Sequence, residues 1–203
     1  MVQGATVTEL CCELATSHGG DLELAERMIV ACAEAGADTV KVQSYSLQAI
    51  NPRDPQVDWL RQSWLSLQAH QHLLRVAKEC KVEFLATPFD AEALQMLRSL
   101  GLTRFKMASS QCFEHWWVSP RTPDEFGEMR RVFAADYIVS CPWGLNAEQM
   151  ASGVTRVTAI PLYPTPLEAV GRATVLDGWS DHGIGLTACQ RALVLGVRYL
   201  EVH

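Results

Sequence analysis

Two histidines stand at the ends of short apolar runs, His182 in "WSDHGIG" and His203 in "LEVH". Imidazoles on separate strands can share a divalent cation, but a gap of 21 residues is no local metal motif, so the pair has meaning only if the fold brings both strands together. Read without a fold, each is an ordinary structural or exposed histidine. Lys41 in "TVKVQSY" and Lys106 in "RFKMASS" lie inside strand-like runs, where an ammonium is costly unless it is paired or holds an anion. Glu13, at the end of "TVTELCCEL", raises the same question: either an acid–base task or a salt bridge to a lysine of a neighbouring strand satisfies it. Thr87, Ser109, Ser140 and Ser180 are ordinary strand-end hydroxyls taken singly; beside the lysines they become donors for a phosphate or carboxylate. His18, Gln43 and Tyr163 occupy comparable positions, whereas His70, His72 and His115 read as helix-surface or loop residues.

These residues need elements to place them. "TVTELCCEL" reads as a strand, "DLELAERMIVACAEAG" as an amphipathic helix capped by Asp21 and stopped by Gly36, and "ADTVKVQSY" as a second strand. The beat repeats with helix 64–80, strand 82–89, helix 90–101 and strand 103–110. Further strands are expected at "YIVSC", "RVTAIPLY", "GWSDHGIGL" and "RYLEV", and helices at 123–135, 146–153 and 185–196, with a Trp- and Pro-rich insertion from Cys112 to Gly127. Eight strands alternating with helices predict one (β/α)8 TIM barrel over residues 1–203, small for that class. The alternative, an open doubly wound sheet, would more often carry a GxGxxG turn, and "ELATSHGG" is not one. In a barrel, active sites lie at the C-terminal ends of the strands, where the residues above fall.

Composition narrows the function. A formal net charge of −6 argues against nucleic acid or an anionic membrane as the main partner, and no window is apolar enough to span a bilayer. No signal-peptide pattern opens the chain, so a cytoplasmic protein is expected. Seven cysteines without CxxC spacing fit a reducing compartment and no zinc site. The six tryptophans read as core or loop cover, because the basic interleaving of a base-stacking surface is missing.

The blocks "CELATSHGG", "GADTVKVQSY", "VEFLATPFD", "FKMAS", "LYPTP", "WSDHGIG" and "LEVH" resemble, in order and spacing, the sialic acid synthase family. The resemblance implies a TIM barrel that condenses phosphoenolpyruvate with an N-acylated amino-sugar aldehyde to a nonulosonic acid, releases phosphate, and requires Mn2+ or Mg2+. Carried over by position, it implies metal ligands at His182 and His203 and a water-handling Glu13. It implies phosphoenolpyruvate contacts from Lys41, Thr87, Lys106, Ser109, Ser140 and Ser180, and sugar contacts from Gln43, Gln111 and Tyr163.

Departures from the family pattern are equally specific. Pro161 stands where the family offers a polar side chain, Gln111 where it has a carboxylate, and Cys141-Pro142 where it has Thr-Gly. The family's final barrel helix and its antifreeze-like domain, which serves the neighbouring subunit in a homodimer, are expected to be absent from this chain. Two other readings follow: a barrel that keeps a metal or anion site without turnover, and a related 3-deoxy-sugar-acid synthase.

Overall fold

The computed structural model describes residues 7–111, 136–144 and 154–203; the expected helices 123–135 and 146–153, the insertion from Cys112 and His115 lie outside the described residues. The chain divides into two compact units, one of Cys12–Lys106 and one of the chain up to Cys11 together with Met107–His203.

In the Cys12–Lys106 unit, β1 (Glu9–Ala15, from Cys12 on), α1 (Leu22–Glu34), β2 (Thr39–Ser44), α2 (Val57–Gln62), α3 (Leu67–Glu79), β3 (Glu83–Pro88), α4 (Ala91–Ser99) and β4 (Arg104–Met107, as far as Lys106) follow one another. The strand order β3-β2-β1 is consecutive, and β2 and β3 run parallel from Thr39 opposite Glu83 to Ser44 opposite Pro88. Three helices begin where a short polar side chain accepts an otherwise orphaned N–H: Asp21 from Leu24 at 2.9 Å, Ser66 from Ala69 at 3.2 Å, Asp90 from Ala93 at 2.8 Å. Ser66 explains why α3 starts at Leu67 and not at Trp64, as the apolar pattern suggests. Ala25 and Ile29 of α1, Leu73, Val76 and Ala77 of α3, and Ala93, Leu94 and Leu97 of α4 form the buried faces. Each aliphatic side chain of Leu or Ile size so buried contributes about 1.5–3 kcal/mol.

The second unit carries β5 (Asp136–Pro142), β6 (Thr155–Ala159), α5 (Leu167–Arg172), β7 (Gly178–Asp181), α6 (Thr187–Val194) and β8 (Tyr199–Val202). Its order, β8-β7-β6-β5, is also consecutive, and every register in it is parallel. A doubly wound sheet reverses its order part-way; these strands do not, and the chain has the (β/α)8 fold class. Ile160, Val170, Trp179, Cys189 and Leu200 pack into one core between strands and helices. Gly178 is required there, since a Cβ would lie 2.7 Å from the carbonyl oxygen of Tyr199 on the paired strand. At the start of the strands Asp177 joins β6 to β8, accepting from the Arg156 guanidinium at 2.8 Å and from Arg198 at 3.3 Å.

One expectation is corrected and two short helices are added. His70 is no surface residue: it is 1% exposed, with Nε2 2.8 Å from Ser44 Oγ and its Nδ1–H donating to Ser66 O at 2.9 Å. Its place on the apolar stripe of α3, one turn before Leu73, turned it inward. The six-residue helices α2 and α5 were not anticipated; neither has a side-chain cap or enough turns to show a period.

Candidate functional site

The histidines of "SDH" and "LEVH" lie close together in the β5–β8 unit. Their rings meet edge to face with centroids 4.4 Å apart, because β7 and β8 pair with Asp181 opposite Val202, which puts the next residue of each strand at the same end. The Nδ1 of His182 is 2.7 Å from the carbonyl oxygen of Ile160, and that of His203 is 2.8 Å from the carbonyl oxygen of Asp181. A carbonyl oxygen only accepts, so both Nδ1 atoms carry a proton, and in the neutral ring Nε2 is the basic nitrogen. This is how metal-binding imidazoles are oriented.

Glu201, one residue before the paired strand's end, is buried at 1% exposure. Its carboxylate accepts from Ser180 Oγ at 2.6 Å and from the Tyr199 hydroxyl at 3.1 Å, and one of its oxygens lies within 4.8 Å of a ring nitrogen of His203. Tyr163 covers the histidines. It stacks on His182 with centroids 4.0 Å apart, meets His203 edge-on at 5.9 Å, and donates its hydroxyl to His182 Nε2 at 2.8 Å. Although 70% of the residue's surface is open, burial on the His182 side and then the charge of Glu201 push the phenol up to about 12, so it remains a donor. A ring nitrogen of His203 and the Glu201 carboxylate make a mixed N,O donor pair of the kind a divalent first-row cation or Mg2+ takes, while the Nε2 of His182 is engaged by the Tyr163 hydroxyl.

The Cys12–Lys106 unit holds a cluster of the opposite kind. Lys41 on β2 and Glu13 on β1 form a buried ion pair, with side chains only 4% and 2% exposed. The pair is completed by Lys41 Nζ donating to Thr87 Oγ1 at 3.2 Å and by the N–H of Ala15 donating to Glu13 Oε1 at 2.7 Å. Thr87 pairs with Gln43 in the β2–β3 register, and Gln43 is half-buried. Lys106 on β4 is 2% exposed. A groove of about 420 Å³ in this unit, lined by Tyr45, Ser46, Trp64, Ser66, Glu92 and Met96 among others, includes none of these residues.

The remaining expected residues fall as follows. Ser140 is buried on β5, Ser109 is half-buried in the turn after β4, and Ser180 spends its proton on Glu201. Gln111 is fully buried, its side-chain oxygen accepting from the N–H of Ala108 at 2.8 Å. Pro161 is exposed, beyond the last residue of β6. Glu201 was overlooked, although a glutamate between two apolar residues of a buried strand is the same costly pattern that singled out Glu13.

Comparison with known proteins finds relatives along most of the chain. Residues 28–119 match the NeuB family. Beyond the NeuB segment, the likeness runs along nearly the whole chain. The N,N'-diacetyllegionaminic acid synthase of Campylobacter jejuni is 28% identical over 97% of this chain and 67% of its own length. The pseudaminic acid synthase of Helicobacter pylori is 25% identical over 96% of this chain and 65% of its own. The crystal structure of the N-acetylneuraminic acid (sialic acid) synthetase of Leptospira borgpetersenii, in complex with citrate, superimposes with a TM-score of 0.79 at 22% identity, over 96% of this chain and 72% of that one. The resemblance to sialic acid synthases read from the sequence therefore stands, and the chain spans about two thirds of the length of these curated relatives.

Proposed function

We propose that the protein belongs to a phosphoenolpyruvate-dependent synthase that joins C3 of the enol to the aldehyde of an N-acylated amino sugar, giving a nonulosonic acid and phosphate. The observation that supports this most is the pair of imidazoles whose Nδ1–H groups rest on backbone carbonyls, beside a buried carboxylate. His182 and His203, with Glu201 at hand, would hold Mn2+ or Mg2+; a cation there supplies Lewis-acid polarisation of a carbonyl oxygen.

The chain's own residues do the rest. Lys41 and Lys106 offset the charge of phosphate and carboxylate, and Thr87, Ser109 and Ser140 orient those groups with hydroxyl hydrogen bonds. Ser180 joins them by turning its hydroxyl proton, which donates to Glu201, toward the ligand. Glu13 accepts the proton of the water that adds to the former enol carbon; its Oε1 is held by the Ala15 N–H, leaving Oε2, the oxygen facing Lys41, for that task. Tyr163, Gln43 and Gln111 face the sugar. The relatives' names cover legionaminic and pseudaminic acids, so the N-acyl sugar accepted by this chain is the finer question. The companion reading places the enzyme in the cytoplasm, working as a homodimer; no described helix is long and apolar enough to cross a membrane.

The test is phosphate release from phosphoenolpyruvate with a panel of N-acylmannosamines and related deoxy-amino sugars, with and without Mn2+. Metal-dependent release with at least one sugar is expected. A folded chain that binds Mn2+ and phosphoenolpyruvate yet releases no phosphate with any of them would favour a binding module without turnover.

A further inference from the structure

We propose that Asp181 is a positioning residue that orients both metal-binding histidines through a single peptide plane. The inference rests on the reading of His182 and His203 as metal ligands and extends it to a residue that touches neither the cation nor substrate.

Asp181 is buried at 5% exposure at the end of β7. Its Oδ1 accepts from the N–H of Gly183 at 3.0 Å, and its Oδ2 accepts from the Cys189 thiol on α6 at 2.9 Å. The first bond closes an Asx-turn, a ring that contains the peptide unit between Asp181 and His182. That same peptide unit carries the Cα of His182 on one side and, on the other, the carbonyl that receives Nδ1–H of His203 at 2.8 Å. Rotating it would swing the His182 side chain and remove the acceptor that fixes the His203 tautomer.

Two further contacts restrain the turn. The carbonyl of His182 accepts from the N–H of Thr165 at 2.9 Å, and Gly183 pairs with Thr165 as an isolated parallel bridge. Gly183 approaches so closely that a Cβ there would lie 3.1 Å from Asp181 Oδ1. The carboxylate thus links three things: the peptide that aims both imidazoles, the glycine turn beyond it, and α6 through Cys189.

The experiment titrates Mn2+ onto the full chain, with free Mn2+ read from its electron paramagnetic resonance signal and the thermal midpoint followed alongside. Asp181→Ala is expected to weaken Mn2+ binding by about tenfold or more, whereas Asp181→Asn, whose side-chain oxygen still accepts from Gly183, should stay within about threefold of wild type. Wild-type affinity in Asp181→Ala, while His203→Ala has lost the metal, overturns the proposal. Equal losses in the Ala and Asn variants overturn it too. If His182→Ala and His203→Ala both bind as wild type, the metal-site reading falls first and this inference with it. A second measurement does not depend on the Ala variant folding: ring 15N–1H correlation spectra of the metal-free wild-type chain should show His203 protonated at Nδ1. Protonation at Nε2 would contradict the proposal.

Discussion

The two polar clusters solve the burial of charge in opposite ways. Around Glu13 and Lys41 the solution is a carboxylate against an ammonium, with Thr87 and one backbone N–H taking up further hydrogen-bonding capacity. Around His182 and His203 it is backbone carbonyls that select tautomers, and hydroxyls that hold the Glu201 carboxylate. The first arrangement sets charge against charge; the second aims ring N–H groups at carbonyls. An ion pair fails badly when halved, whereas an array of oriented lone pairs loses its ligand before it loses its fold.

Mutations should separate the two. Lys41→Met leaves the Glu13 carboxylate buried without its ammonium partner and should cost about 3–5 kcal/mol in urea unfolding. The double variant Glu13→Gln/Lys41→Met should recover much of that loss, since replacing both members removes the uncompensated charge. His203→Ala should lower Mn2+ affinity by at least about a hundredfold, on the order of 3 kcal/mol of binding, with little change in unfolding midpoint because the residue is exposed. Ser180→Ala removes the 2.6 Å donor from a buried carboxylate and should cost about 1–3 kcal/mol of stability, read by the same urea titration.

The smallest and most diagnostic difference concerns pH. Burial lowers the pKa of His18 and, with help from His18 itself, of His70 below the usual 6.5. Both are neutral in the folded Cys12–Lys106 unit, so the unfolded chain binds more protons below pH 6.5 and their contribution, complete above it, is lost as pH falls toward the folded values. In the other unit the Arg156 guanidinium, through its hydrogen bond, holds Asp177 below the usual 3.8. That contribution is present above pH 3.8 and is lost only as pH falls through the lower folded value. Amide exchange at graded pH should therefore show β2 and α3 losing protection before β6 and β7; the reverse order would contradict these assignments.

Much of this was legible in the sequence, for identifiable reasons. Asp21 and Asp90 are short acceptors at helix starts and set two boundaries within a residue or so, whereas Ser66 was passed over and α3 begins three residues after Trp64. The apolar runs of β2, β3 and β5 marked themselves by being buried on both faces. Lys41 announced a partner, and the alternative of a salt bridge to a neighbouring strand was open from the start; Glu13 proved to be that partner. His182 and His203 were legible only through resemblance, because their proximity depends on β7 lying beside β8. The role of Ser180 was hidden for the same reason, since its acceptor lies 21 residues away on that neighbouring strand. His70 was misread because a lone polar residue on a helical stripe reveals its depth only once Ser44 lies opposite it.

The most direct test of the histidine cluster is calorimetric titration of Mn2+ onto the His203→Ala protein beside the wild type. The account predicts one Mn2+ per wild-type chain and a loss of at least about a hundredfold in a folded His203→Ala. Undiminished Mn2+ affinity in His203→Ala would contradict it.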